Sequence, residues 1–242
     1  MKLKYTDKVF IKIVVLYLVA AIGVPLWFIY GGGTIGLAIF FFILGSLIAR
    51  LGNAGYHRWL AHNQFEPSWL GKKIMFYFMV MTGFGPPGHY VVSHLQHHKH
   101  TDEEGDPHGP KQIGFWRMFF GRYNEVTPTV SYMRRYARNK EAQWVTKHYW
   151  KLWLANWIFL GLISKWLMVW LAFLFSWSWI WTNVLNWGGH GGLKGEPTNL
   201  NWFCNIIMGG EDYHKNHHEN PSQLVMGKYD TTGRFLVPWL LQ

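Results

Sequence analysis

Cysteine is nearly absent from this chain: Cys204 stands alone among 242 residues. A single cysteine excludes an internal disulfide, and it excludes a zinc or iron–sulfur site built from several thiolates. Acidic residues are scarce as well, 13 against 23 Lys and Arg, for a formal charge of +10. The His-Glu-x-x-His signature of zinc proteases does not occur. Glu-x-x-His, which soluble carboxylate di-iron bundles need on two helices, occurs once, at Glu211–His214. There is no His-Pro-Gly-Gly haem-binding segment, no internal repeat and no low-complexity linker. A metal on this chain must therefore be held by nitrogen or oxygen.

Aromatic residues and long apolar runs are present in excess. The sequence has 16 tryptophans and is 19% aromatic, and Trp and Tyr favour membrane–water interfaces. Positions 9–30 are apolar apart from Lys12, whose long stem can carry its charge to the interface. About 20 such residues span a bilayer core. A signal-peptide reading of this run, with its basic start and Val19-Ala20-Ala21, is disfavoured because cleavage leaves an odd number of spans. Gly31–Thr34 break the run, and a second begins at Ile35 and ends at Arg50, its helix expected to continue through "RLGNAGYHRWL". The apolar stretch 74–85 has the length of a buried or interfacial helix. A polar, basic segment follows to Tyr149. Positions 150–184, interrupted at Lys165, predict a helical hairpin, and the tail "FLVPWLL" reads as an interfacial anchor.

The expected fold class is an all-α integral membrane protein, one domain over 1–242. It has four transmembrane helices near 9–30, 35–50, 150–163 and 166–186, and a helical cap from 51–149 and 188–242. In that arrangement only Lys165 among the Lys and Arg lies on the side away from the cap and both termini. The positive-inside rule makes the cap side cytoplasmic. Basic residues flanking apolar runs point to a lipid bilayer as partner, not to nucleic acid.

Every one of the 13 histidines falls on the cap side, and most are grouped. "HRWLAH" gives His57 and His62, "HLQHH" gives His94, His97 and His98, and "HKNHH" gives His214, His217 and His218. "NWGGH" pairs Asn186 with His190. Helical residues three and four apart share a face, so the two HxxHH forks each converge. His57 and His62 lie about 140° apart and about 7.5 Å along a regular helix, which suits two neighbouring ions better than one. Neutral imidazole binds iron, copper, nickel and zinc. Nine grouped histidines exceed the four ligands of a structural zinc, so two ions in a nitrogen-rich shell are expected. His108 and Asp106 in "GDPH" are candidate partners behind that shell, while His89, His100 and His148 read as ordinary surface or hydrogen-bonded histidines.

From about Ala49 to Pro221 these motifs resemble the integral-membrane fatty acid desaturases, the family containing stearoyl-CoA desaturase and bacterial Δ9 acyl desaturases. "HRWLAH", "HLQHHKHTDEEGDPH" and "GGEDYHKNHH" resemble its three histidine boxes, and "NWGGH" its Asn-x-x-x-His. The resemblance implies a di-iron centre on His57, His62, His94, His97, His98, His190, His214, His217 and His218, with Asn186 acting through water. It implies an O2-dependent enzyme placing a cis double bond, Δ9 by analogy, in a saturated fatty acyl chain. The acyl carrier stays open among coenzyme A, acyl carrier protein and a glycerolipid, with "RRYARNK" (134–140) a candidate carrier contact. Two electrons are expected from an external donor, ferredoxin or a b-type cytochrome with its reductase. A di-iron hydroxylase of an alkane, sterol or carotenoid is the nearest alternative. A non-catalytic metal-binding membrane protein is a more distant one.

Overall fold

The computed structural model describes residues 5–126, 128–134 and 136–241, and among them every regular element is helical. Two long helices open the chain, α1 (Tyr5–Tyr30) and α2 (Ile35–Asn53). Thr34 caps α2 by accepting from Leu37 N–H. The helix does continue past Arg50, but as wide turns over Ala54–Ala61, in which His62 N–H donates to the His57 carbonyl five residues back. Next come α3 (Trp69–Thr82), capped by Ser68 and stopped by Gly83 at φ 76°, and α4 (Pro87–Lys99), with proline at its first position. Both ends follow the usual rules: a hydroxyl at the N-cap, left-handed glycine at the C-cap, and proline where its missing N–H costs nothing.

Short helices α5 (Pro110–Ile113), α6 (Phe115–Phe119) and α7 (Val130–Met133) lead to the hairpin of α8 (Lys140–Ile163) and α9 (Lys165–Gly188). Ser164 is extended, ends α8, and caps α9 by accepting from Trp166 N–H. The hairpin bends where the sequence predicts. However, α8 starts at Lys140, ten residues before the expected boundary, because Asn139 caps it and no breaker lies between. The candidate carrier contact 134–140 thus ends in this cap, and Arg135 within it lies outside the described residues. Finally come α10 (Trp202–Met208), α11 (His214–Glu219) and α12 (Val237–Leu241).

Among the described residues three helices are long and apolar enough to cross a membrane, covering Val9–Tyr30, Ile35–Ala61 and Lys165–Gly188. Large apolar side chains on them face outward, Ile22 at 60% and Ile43 at 62% exposure. That is the inverse of a water-soluble surface and fits a lipid solvent. In α8 only the second half, from Trp150, is apolar.

α1 packs along α9, burying Ile13, Leu16 and Ala20 against Ala172 and Phe175. Lys12 does not reach for the interface. Its Nζ donates to the Gly83 carbonyl at the end of α3, 2.7 Å away, and lies over the Phe175 ring. The main core joins α3, α4, α8 and the wide turns through Tyr56, Trp59, Met75, Met79 and Tyr149. Gly52 lets α2 approach α3, since a Cβ there would stand 2.9 Å from Thr82. The tail is more than a surface anchor. Val237 and Leu240 enter the core and the Leu240 carbonyl accepts from Ser68 N–H, while Phe235 and Trp239 stay exposed.

Candidate metal centre

The two histidine forks are carried on α4 and α11. The wide turns after α2 bring in His57 and His62, and the turn after α9 brings in His190. Their ligand-capable nitrogens fall into two groups. One contains His57, His62, His94, His98 and His217, the other His97, His190, His214 and His218, with the atoms of each group within 4.8 Å of one another. All nine grouped histidines of the sequence converge. Their distribution differs from the helical expectation in two respects: each fork is split, His97 standing apart from His94 and His98 and His217 apart from His214 and His218, and His57 and His62 fall in the same group. The five-residue register of the wide turns rotates them onto one side, a known role of π-type turns at functional sites.

The Nε2 atoms face each other at close range. His62 and His94 approach to 2.7 Å, His57 and His217 to 3.0 Å, His98 and His217 to 3.0 Å, and His190 and His214 to 2.8 Å. Three Nδ1 atoms are held by carboxylates: His57 by Glu211 at 2.6 Å, His97 by Asp106 at 2.8 Å and His190 by Asp102 at 2.7 Å. A neutral imidazole that donates Nδ1–H to a carboxylate presents a bare lone pair at Nε2. Several bare lone pairs turned on one point repel unless a cation lies between them. The residues therefore fit a metal, and the all-nitrogen donor set suits iron, copper, nickel or zinc.

Protonation states agree with that fit. Burial, followed by the charge of neighbouring histidines, pushes His62, His94, His97, His214 and His217 well below the usual range. The same causes take His98 to about 2 and His218 to about 3. These rings are neutral at pH 7 and free to ligate. Burial works against the Glu211 carboxylate, but Arg58 and His57 together hold it below the ordinary carboxylate range.

Asp106 is saturated. Besides His97 it accepts from the backbone N–H groups of Asp102 and His108. His108 stacks on His97 with ring centroids 4.4 Å apart. Asn186 bonds to the Tyr123 phenol. His89, His100 and His148 stay outside both groups.

Four residues in this arrangement carry no local signal of their role: Asp102, Glu211, Arg58 and Asp230. Arg58 is fully buried, with Nε 2.7 Å from Glu211, Nη1 3.0 Å from Asp230 and a further bond to the Leu224 carbonyl. The chain Asp230–Arg58–Glu211–His57 thus ties the third histidine motif to the first. Asp102, at φ 60°, turns the "TDEEGDPH" loop so that its two aspartates meet histidines of the same group, His190 and His97.

Nine imidazoles in two adjoining groups, backed by carboxylates at the face of apolar helices, suit redox chemistry on an apolar substrate. Comparison with known proteins leads the same way. Residues 33–224 match the fatty acid desaturase family. The sn-1 stearoyl-lipid 9-desaturase of Anabaena variabilis is 26% identical over 206 residues, which cover 78% of this chain and 72% of that protein. The sn-2 palmitoyl-lipid 9-desaturase of Nostoc sp. (strain 36) is 28% identical over 227 residues, 84% of this chain and 75% of that protein. The acyl-CoA C20 Delta5-desaturase of Anemone leveillei is 30% identical over 202 residues, 74% of this chain and 62% of that protein. The chain belongs to the fatty acid desaturase family, and it is a membrane oxidoreductase that desaturates fatty acyl chains.

Proposed function

We propose that this enzyme introduces a cis double bond at position 9 of a saturated acyl chain borne on a membrane glycerolipid. Two of its relatives are named for lipid-bound stearoyl and palmitoyl chains, which supports the carrier and the position. The whole chain, 1–242, acts as one domain, with the apolar half of α8 as a fourth span beside the three apolar helices. The cap and both termini face the cytoplasm, following the basic residues.

The observation that carries the reading is the partition of nine histidines into two adjoining groups with inward Nε2 atoms. His57, His62, His94, His98 and His217 would hold one iron, and His97, His190, His214 and His218 the other, with Asn186 contributing through water. Bound there, two irons would supply O2 reduction and the oxidising power to break an unactivated C–H bond. Overall, a –CH2–CH2– unit, O2, two electrons from an external ferredoxin or b-type cytochrome and two protons give –CH=CH– and two waters.

The protein's own work is positional. Glu211, Asp102 and Asp106 keep Nδ1–H of His57, His190 and His97 in place, so each Nε2 stays a lone pair. The reacting stretch of chain would enter a cavity of about 90 Å3 between α2 and α9, lined by Phe84, Trp177 and Trp181 together with polar Arg50, Asn53 and Thr182 and bordered by Glu211.

Expression in a host lacking the activity, with a compatible donor and a His97→Ala, His98→Ala control, tests the proposal by gas chromatography–mass spectrometry of the lipids. A new Δ9 monounsaturated acid in glycerolipids, absent from the control, is expected. A double bond elsewhere overturns the position, and a hydroxylated product overturns the reaction.

A further inference from the structure

Between the last two histidine motifs the chain makes an excursion that leaves and returns through one neck. At the neck Leu200 N–H donates to the Asp212 carbonyl at 2.9 Å, and Asn205 Nδ2 donates to Asp212 Oδ1 at 2.8 Å. The excursion is α10, and its sides differ. Cys204, Asn205 and Met208 are buried, whereas Trp202, Phe203 and Ile206 are 73%, 53% and 60% exposed. Helical residues three and four apart share a face, so these three make one apolar side.

Two apolar helices fix where that side lies. Leu200 packs at Gly188, the end of α9, where an added Cβ would stand 2.9 Å from its Cδ2. Phe203 lies against Trp181, well back along α9, with ring centroids 6.3 Å apart. α10 thus runs down the flank of α9 and does not stand beyond its end. On its other side Arg50 of α2 donates to the Ile206 carbonyl and, at 3.2 Å, to the Ile207 carbonyl.

Helix lengths place these contacts in the bilayer. α9 starts at Lys165 and α2 at Ile35, just after the turn Gly31–Thr34. A charged lysine and a lipid-exposed turn belong at or outside the far boundary of the hydrocarbon. From Lys165 to Trp181 is at most about 24 Å along the axis, and from Ile35 to Arg50 at most about 22 Å. The hydrocarbon core is about 30 Å thick, and tilt only shortens both climbs. Each helix on its own therefore leaves α10 roughly 6–8 Å below the cap-side boundary.

Backbone at that depth is tolerated only where its polar ends are satisfied. Asn201 accepts from Cys204 N–H at the start of α10, and Gly209 N–H returns to the Asn205 carbonyl at its end. Arg50 serves the next two carbonyls. The outward residues of α2 below Arg50, Ile43 and Leu47, are exposed too, so one apolar surface continues from the span onto α10.

We propose that α10 is a re-entrant helix seated in the cap-side leaflet, with Trp202, Phe203 and Ile206 against phospholipid acyl chains. The inference rests on α2 and α9 as spans, and not on the bond position or acyl carrier proposed for the reaction. The other side of α10 carries Ile207 and Met208, which line the cavity between α2 and α9. Lipid on its outer face is thus one helix away from the cavity that the reacting chain would enter.

The test uses the full chain in phosphatidylcholine nanodiscs. Cys204→Ser removes the single thiol, and Phe203→Cys or Ile206→Cys then carries a nitroxide. Ile43→Cys, on the outward face of α2, and Lys194→Cys, in the exposed turn after α9, serve as lipid and water references. Collision with oxygen, which concentrates in lipid, and with a water-soluble nickel chelate is read by electron paramagnetic resonance. Labels at 203 and 206 should match the one at 43. Nickel collisions as frequent as at 194 overturn the leaflet seat and leave this face to water or to a protein partner. The unsubstituted chain, photolysed with a phosphatidylcholine bearing a diazirine in one acyl chain, should carry label within 201–208 by peptide mass spectrometry. Label on Val9–Tyr30 with none on 201–208 also overturns it. Neither readout needs iron or turnover, so absent desaturation with α10 in lipid removes the proposed function alone, and the reverse result removes the leaflet seat alone.

Discussion

Nδ1 of His57 lies 2.6 Å from one Glu211 oxygen, while Arg58, the next residue, takes the other at 2.7 Å. The carboxylate thus fixes a histidine tautomer and is itself held in place by a buried cation. Glu211→Gln keeps the shape but loses the charge, and its amide N–H can face His57 Nδ1 and move the proton to Nε2. Iron affinity should fall about 10–100-fold, the usual effect of losing such a partner. Competition with a graded chelator, read as iron per chain, measures it.

The three carboxylates also sort the two groups. Glu211 acts on the five-histidine group through His57, whereas Asp102 and Asp106 act on the four-histidine group through His190 and His97. Asp102→Asn and Asp106→Asn should each perturb one iron signal in Mössbauer spectra, and Glu211→Gln the other. Equal perturbation of both signals by all three variants would contradict two distinct sites.

Arg58 carries stability as well as geometry. Arg58→Met leaves Glu211 and Asp230 buried without a counter-charge, which should cost about 3–5 kcal/mol. A lower unfolding midpoint in detergent, followed by tryptophan fluorescence, is the expected sign. Arg58→Lys should rescue little of it, because an ammonium cannot bond Glu211, Asp230 and the Leu224 carbonyl through one planar fork.

The parts of this protein legible in its sequence are those encoded locally. The apolar runs around Val9–Tyr30 and Lys165–Gly188 state their solvent, and Ser164 beside Lys165 marks the hairpin. On the regular helices α4 and α11 the four-residue spacing holds, His94 with His98 and His214 with His218, while His97 and His217, three residues along, cross to the other group. Where the backbone departs from a regular helix, spacing misleads: His57 and His62 share a group only because of the five-residue register of the wide turns. Non-local partners are equally hidden. Glu211 stands three residues before His214 yet serves His57, and Asp102 serves His190, pairings that no periodicity records. The start of α8 escapes for another reason. Its first three turns are polar, so hydropathy marks the apolar portion and misses the helix beginning at Lys140.

Acid should distinguish the iron-free protein from the loaded one. A free imidazole titrates near pH 6.5, whereas the folded chain resists protonation of His98 down to about 2 and of His218 to about 3, through burial first and neighbouring histidines second. Between those limits the unfolded chain binds more protons than the folded one. Stability is then fully present above about pH 6.5 and is lost progressively as the pH falls toward 3. The chelated protein should show a falling unfolding midpoint from pH 7 to pH 5. Bound metal resists protonation of its ligands, so the iron-loaded protein should show a smaller decline. Midpoints that stay flat without iron over that interval would mean that these rings are solvated and lack the packing around Nε2 on which the metal reading depends.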